Sequence, residues 1–102
     1  MIKVIIKKPF EKPYIKEIEN TLESFKKNVG GYIEIVPFYN NSLIVCNEAG
    51  KLFNLPINFV YYDINDIIVG NVVICGQDGE EFCDVPSELI ENINDVFDSP
   101  FK

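Results

Sequence analysis

Ile and Val supply most of the apolar residues of this chain, and there is a single Ala, Ala49. β-Branched side chains suit strands and are mediocre helix formers. The apolar runs are short, and none approaches the ~20 residues that cross a bilayer. The 102 residues are the length of one domain. We therefore expect one α+β domain over residues 1–102, rich in sheet and without a membrane anchor.

The first half of the chain has the periodicities of one strand and one helix. Residues 2–7 alternate in a period of two, which predicts a strand. In residues 14–28 the apolar positions recur at steps of three and four, which predicts a helix. Gly30 is the expected end of this helix, because glycine readily adopts positive φ at a C-cap.

The middle of the chain predicts a hairpin. Residues 32–38 and 43–46 read as strands around an Asn40-Asn41 turn. Pro37 cannot donate a backbone hydrogen bond, so we expect the first of these strands at a sheet edge. Residues 57–62 are compatible with either a short strand or a loop.

A second hairpin is predicted around Asp78-Gly79, between strands within residues 67–76 and 80–84. In this register Cys75 lies opposite Phe82 and Cys83 lies opposite Ile74. Adjacent pairs point to opposite faces of a sheet, so we expect neither a disulfide nor a shared metal between the two cysteines.

A helical apolar stripe begins near Pro86-Ser87, and we expect the tail after Asp98 to be frayed. The predicted order is β-α-β-β-(β)-β-β-α, with about five strands and two helices. We expect the helices to pack on a mixed or mostly antiparallel sheet.

The sequence lacks the usual groups of an enzyme site. There is no His, which removes the commonest general base and the commonest metal ligand. The three Cys form no CxxC pair and are interpreted as reduced thiols of a cytoplasmic protein. Gly30-Gly31 follows a helix instead of preceding one, so it does not predict a phosphate-binding loop. We predict no catalytic residues, no metal and no cofactor.

The charge is distributed unevenly along the chain. Residues 1–51 contain eight Lys and six acids, a net charge of +2, whereas residues 52–102 contain one Lys and ten acids, a net charge of −9. All nine basic residues are Lys, and direct nucleic-acid binding is disfavoured because such sites rely on Arg and a basic stripe. The acidic half has two interpretations, a mimic of nucleic acid or an aid to solubility.

The candidate binding site is a polar segment, Asn47-Glu48-Ala49-Gly50-Lys51, followed by Leu55-Pro56-Ile57-Asn58. It follows the predicted third strand, and loops on rigid scaffolds often carry function. The alternative is structural: an Asx-type turn with a local ion pair between Glu48 and Lys51. The candidate binding residues are Asn47, Glu48, Lys51 and Asn58.

Four stretches, one of them the candidate segment, carry a resemblance to a known family. They are Gly30-Gly31-Tyr32-Ile33-Glu34, Cys46-Asn47-Glu48-Ala49-Gly50-Lys51-Leu52, Leu55-Pro56-Ile57-Asn58 and Asp66-Ile67-Ile68-Val69-Gly70. In them the chain resembles the uncharacterised domain-of-unknown-function family 3846, which comprises small proteins of bacteria, phages and mobile elements. It departs from the family at Ala49, where a second acid is usual, and at Phe59, where a basic residue is frequent.

The resemblance implies an accessory protein of mobile-element or phage type and implies no reaction. Together with the missing catalytic groups, it predicts a non-enzymatic protein-interaction module with an acidic C-terminal half. The alternative is a small-ligand-binding or accessory subunit that uses the segment from Asn47 to Lys51 together with Asn58. We expect a protein partner, and the oligomeric state is left open.

Overall fold

The structure is a computed structural model and describes residues 1–97; the tail predicted to be frayed lies outside them. Within residues 1–97 the α+β class is confirmed, with eight strands in place of about five and three α-helices in place of two. A 3₁₀ turn, Tyr62–Ile64, joins β5 to β6. In chain order the elements are β1 (Ile2–Lys7), β2 (Tyr14–Ile18), α1 (Leu22–Val29), β3 (Ile33–Phe38), β4 (Ser42–Asn47), β5 (Ile57–Tyr61), β6 (Asp66–Val69), β7 (Val72–Asp78), β8 (Glu81–Cys83), α2 (Ser87–Glu91) and α3 (Ile93–Val96).

Six of the strands form one antiparallel sheet. Its order is β2-β1-β7-β4-β3, and β8 pairs with the end of β7. Strand β3 contains Pro37 and lies at an edge, as predicted. The segment that fitted either a strand or a loop is β5, which pairs with β6 in a separate antiparallel sheet.

The central strands of the six-stranded sheet, β1, β4 and β7, are buried on both faces. On one face, Phe25 and Val29 of α1 pack against alternate residues of β1, β4 and β7, such as Val4 and Val73. On the other face, the intervening residues contact side chains of β5, β6 and the C-terminal helices. Burial on both faces explains the almost continuous apolar runs of β4 and β7.

The helix predicted for residues 14–28 is wrong in its first half. Tyr14–Ile18 is strand β2, and α1 spans only Leu22–Val29. The Thr21 hydroxyl begins the helix by accepting a hydrogen bond from the Ser24 N–H at 3.1 Å. The helix ends as predicted at Gly30, which has φ 82°.

Both predicted hairpins are present, one of them in a different register. Asn40 and Asn41 have positive φ between β3 and β4. In the second hairpin Asp78 pairs with Glu81, so the turn residues are Gly79 and Glu80 instead of Asp78 and Gly79. Glycine with positive φ at the first central position is typical of a type II′ turn.

The change of register moves Cys83 opposite Gly76 instead of Ile74. Cys75 packs on the α1 face, whereas its neighbour Gly76 belongs to the other face, and Cys83 shares the face of Gly76. Both cysteines are free thiols.

The C-terminal apolar stripe forms two short helices in place of one. The Asn92 side chain donates to the Glu88 carbonyl oxygen at 2.9 Å, at the junction between α2 and α3. Among residues 1–97, no helix combines the length and the apolar character needed to cross a membrane.

Candidate functional site

The candidate segment forms a loop between β4 and β5, residues 48–56, which we call the β4–β5 loop. Its backbone is closed by internal hydrogen bonds: the Phe53 N–H donates to the Ala49 carbonyl at 3.0 Å, and the Leu55 N–H donates to the Gly50 carbonyl at 3.0 Å. A further bond joins the Asn54 N–H to the Lys51 carbonyl at 3.2 Å. These bonds pair backbone groups of the loop with one another and oppose its opening.

Asn47 fixes the beginning of the loop. Its Oδ1 accepts a hydrogen bond from the Ala49 N–H at 2.8 Å, which is the Asx-type turn considered from the sequence. Its Nδ2 donates to the Val29 carbonyl at 3.2 Å, at the end of α1. The side chain is buried, and a Cβ atom at Gly31 would lie 3.0 Å from its Nδ2. Asn47 therefore joins the loop to the helix terminus.

Two glycines let the other side of the loop pack against β6. A Cβ atom at Gly50 would lie 2.7 Å from Val69 Cγ2, and one at Gly70 would lie 2.8 Å from Leu55 Cδ1. Gly70 also has φ 74°, a region that glycine occupies without strain. The two close approaches fix the loop against the β5–β6 sheet.

Asn58 joins backbone segments that are distant in sequence. Its Nδ2 donates to the carbonyl oxygens of Lys7 and Gly70, both at 2.7 Å. Its Oδ1 is buried and has no hydrogen-bond partner among residues 1–97. Both observed contacts of Asn58 are to backbone, so its position holds β5 against the ends of β1 and β6.

Lys51 forms an ion pair, but not the expected one. Its Nζ contacts Asp66 Oδ1 at 2.5 Å, so the local pair with Glu48 is wrong. The hydrogen bond to Asp66 raises the pKa of Lys51, and the same bond lowers the pKa of the Asp66 carboxyl. Asp66 is oriented for this contact because its Oδ1 also accepts from the Ile67 N–H at 2.8 Å. Glu48 is exposed.

A cavity of about 70 Å³ lies beside the loop, between β4 and β6. The Cys46 thiol, one of its lining groups, lies 3.7 Å from the Glu34 carbonyl oxygen. Burial raises the pKa of Cys46 to about 11, so this thiol is protonated at neutral pH and a poor nucleophile. The cavity's polar lining comes from Glu34, Asn47, Glu48, Lys51 and Asp66.

The structure thus brings three of the four predicted site residues to one cavity. Asn47, Glu48 and Lys51 line it, whereas Asn58 is not among its lining residues. Within residues 1–97, Cys, Asp and Glu side chains form no group of three that could hold a metal ion.

The sequence interpretation missed two exposed residues of the same loop. Leu52 is 80% exposed and Phe53 is 68% exposed. The available signal was an apolar pair directly after a polar turn, where a solvated loop would normally carry polar residues.

One family model matches the chain, over residues 2–98, and its description is Domain of unknown function (DUF3846). Neither curated proteins nor solved structures include a significant match.

Proposed function

The chain belongs to the DUF3846 family of domains of unknown function, and we propose that it is a non-enzymatic accessory protein that binds another protein through the β4–β5 loop. The observation that carries the proposal is the exposure of Leu52 and Phe53 at 80% and 68% on a loop closed by backbone hydrogen bonds. In line with the family resemblance, we propose that the protein belongs to a phage or mobile element and acts inside the host cell.

The fixed conformation of the loop favours binding. Ordering a flexible segment opposes association, and a preorganised loop avoids most of that cost. Full burial of a Leu or Phe side chain stabilises by about 1.5–3 kcal/mol. Leu52 and Phe53 therefore offer a partner two apolar anchors without a folding step. Contiguous exposed apolar groups rimmed by polar residues are typical of protein-binding sites.

The dimensions of the site favour a macromolecule over an enclosed metabolite. The cavity beside the loop measures about 70 Å³, whereas small-molecule sites usually measure about 300–1,000 Å³. Both polar atoms of the Asn47 amide and the Nδ2 of Asn58 are also engaged by backbone groups. The alternative of a small ligand held by Asn47, Glu48, Lys51 and Asn58 is therefore second.

The side-chain chemistry supports a role without catalysis. The sequence contains no His, and burial raises the pKa of the Cys46 and Cys75 thiols to about 11 and about 12. Neither thiol is an activated nucleophile.

The acidic half gives the proposed partner a charge preference. Its described acids other than Asp66 are all exposed, so they carry a negative field into solvent. Such a field accelerates association with a basic protein and is screened by salt. These exposed acids are Asp63, Asp78, Glu80, Glu81, Asp84, Glu88, Glu91 and Asp95.

The test is a pull-down from bacterial host lysate at low and high salt with two matched double variants. Leu52→Ser/Phe53→Ser removes the proposed anchors. The control, Phe10→Ser/Leu22→Ser, removes one Phe and one Leu that are 90% and 60% exposed elsewhere. We expect one stoichiometric protein to bind the wild type and the control, with about 100-fold weaker binding to the loop variant. Equal capture by both variants, or no partner at either salt, would overturn the proposal.

A further inference from the structure

A groove lies between β2 and α1. It is on the opposite face of the six-stranded sheet from the cavity beside the β4–β5 loop. Its volume is about 550 Å³, within the ~300–1,000 Å³ range of small-molecule sites. One end of the groove is lined by Lys8, Tyr14, Lys16, Lys27, Asn28 and Asn71.

The register of β2 places two of these side chains on the helix face. Tyr14 pairs with Ile6 and Lys16 pairs with Val4. Ile6 and Val4 both pack against α1, and directly paired residues share a face of the sheet. Tyr14 and Lys16 therefore form the floor of the groove beside the helix.

The remaining residues come from chain segments that meet at the same end of the sheet. Lys7 pairs with Val72, so Lys8 and Asn71 are neighbours at that end. The last turn of α1 also lies there, because Asn47, at the adjacent end of β4, donates to the Val29 carbonyl. Lys27 and Asn28 precede Val29 and form the helical wall.

This end of the groove is positively charged and its lysines are not neutralised. Among residues 1–97 the only ion pair is the one between Lys51 and Asp66, so Lys8, Lys16 and Lys27 have no carboxylate partner within 4.0 Å. The groove's acids are Glu17, Glu19 and Glu23. Glu17 pairs with Lys3, so its side chain points to the opposite face of the sheet, and Glu19 and Glu23 flank the start of α1, at the other end.

We propose that this end of the groove binds a small phosphate-bearing polyanion. Three ammonium groups on separate elements supply charge-assisted hydrogen bonds to phosphate oxygens from different sides. The Asn71 amide adds a neutral donor, and the Tyr14 ring, 38% exposed, offers a surface for a base if the ligand is a nucleotide. The proposal is independent of protein binding at the β4–β5 loop.

The experiment is a ¹⁵N-¹H NMR titration of the whole chain with two probes, inorganic pyrophosphate and ATP. We expect saturable shifts for amides at the end of β1, the start of β2 and the last turn of α1, with the β4–β5 loop unaffected. Tyr14→Leu should weaken binding of ATP and leave that of pyrophosphate unchanged, if the ligand's base contacts the ring. If Tyr14→Leu binds both probes like the wild type, the ring does not contact the base. The site then recognises only the phosphate groups, which is the proposal itself.

Two charge-matched variants decide whether the site is specific. Lys16→Gln/Lys27→Gln removes two groove lysines, and Lys3→Gln/Lys12→Gln removes two exposed lysines outside it. We expect the groove variant to weaken binding of both probes by about tenfold or more, and the control to bind like the wild type. Equal weakening by both variants would show that binding depends only on the net charge of the protein, and this would overturn the proposal. An absence of saturable shifts with both probes would overturn it as well.

Discussion

The substitution Asn47→Ala tests whether Asn47 holds the β4–β5 loop in place or is available to bind a ligand. The substitution leaves the Ala49 N–H and the Val29 carbonyl without their side-chain partner. Each net hydrogen bond contributes about 1 kcal/mol, and the side chain is buried, so the free energy of unfolding should fall by about 2 kcal/mol. For a domain of this size the melting temperature should fall by about 8–16 °C.

The assay is urea unfolding followed by circular dichroism, with Glu48→Ala as the matched control. Glu48 is the exposed neighbour in the same loop, and its backbone bond to Tyr32 does not need the side chain. The control should lie within about 0.5 kcal/mol of the wild type. If Asn47→Ala were equally silent, Asn47 would not hold the loop, and its amide would be free for a ligand.

Asn47→Asp separates the two bonds of this side chain. The carboxylate still accepts from the Ala49 N–H but cannot donate to the Val29 carbonyl, which the amide contacts at 3.2 Å. Burial beside a carbonyl oxygen raises the pKa of the new carboxyl above its unfolded value. The deficit relative to wild type should therefore be full near pH 7 and shrink as the pH falls through the raised pKa towards about 4. A deficit that does not change with pH would refute the assigned contact.

Three further predictions concern the fold and its titratable groups. Gly76→Ala should destabilise the fold by about 3 kcal/mol, because the new Cβ atom would collide with the Asp84 carbonyl oxygen. Gly30→Ala is the comparison: only the positive φ opposes a side chain there, so it should cost about 1 kcal/mol in the same urea assay. Asp66→Asn should cost under about 1 kcal/mol at pH 7, as expected of an exposed ion pair. Because the pKa of Asp66 is lowered in the folded state, this difference should persist above about pH 4 and vanish as the pH falls through the lowered pKa in parallel unfolding curves. Iodoacetamide at pH 8 should label Cys83 first by mass spectrometry, since the other two thiols are buried and their pKa values are raised to about 11 and about 12; faster labelling of either buried thiol would contradict the packing.

The error over residues 14–28 has a local cause. Ile15 and Ile18 stand three residues apart and extend the apolar spacing of α1 backwards, so one helix accounted for all of them. In the structure Ile18 joins the core as part of a strand, while Ile15 is half-exposed. β-Branched and aromatic residues after Pro13 favoured a strand. Thr21, with its capping hydroxyl, was the signal that marks the true start of the helix.

The hairpin prediction shows what turn chemistry can and cannot determine. Gly79 correctly located a tight turn, but a glycine with positive φ fits the first central position of a type II′ turn as well as the second of a type I′ turn. The choice between them moved Cys83 from Ile74 to Gly76. Its face was still predicted correctly, because the pairing changed by two residues and the side-chain period of a strand is two.

The site was predicted only as far as local contacts determine it. The Asx-type turn at Asn47 follows from contacts two residues apart, which sequence analysis can consider. The partner of Lys51 lies 15 residues away, and one partner of Asn58 lies 51 residues away. Such contacts depend on which strands are neighbours, and the sequence did not determine the strand order.

The segment that carries the family resemblance divides into residues that the fold needs and residues that it does not. Asn47, Gly50 and Asn58 contact backbone or lie too close to a neighbour for a side chain, so the conformation of the loop depends on them. Leu52 and Phe53 face solvent, where their apolar surface adds nothing to the stability of the domain. An anchored loop that exposes two large apolar side chains gains nothing from them in isolation. Their presence is explained if a partner buries them, and this makes the loop variant more informative than any change at the buried asparagines.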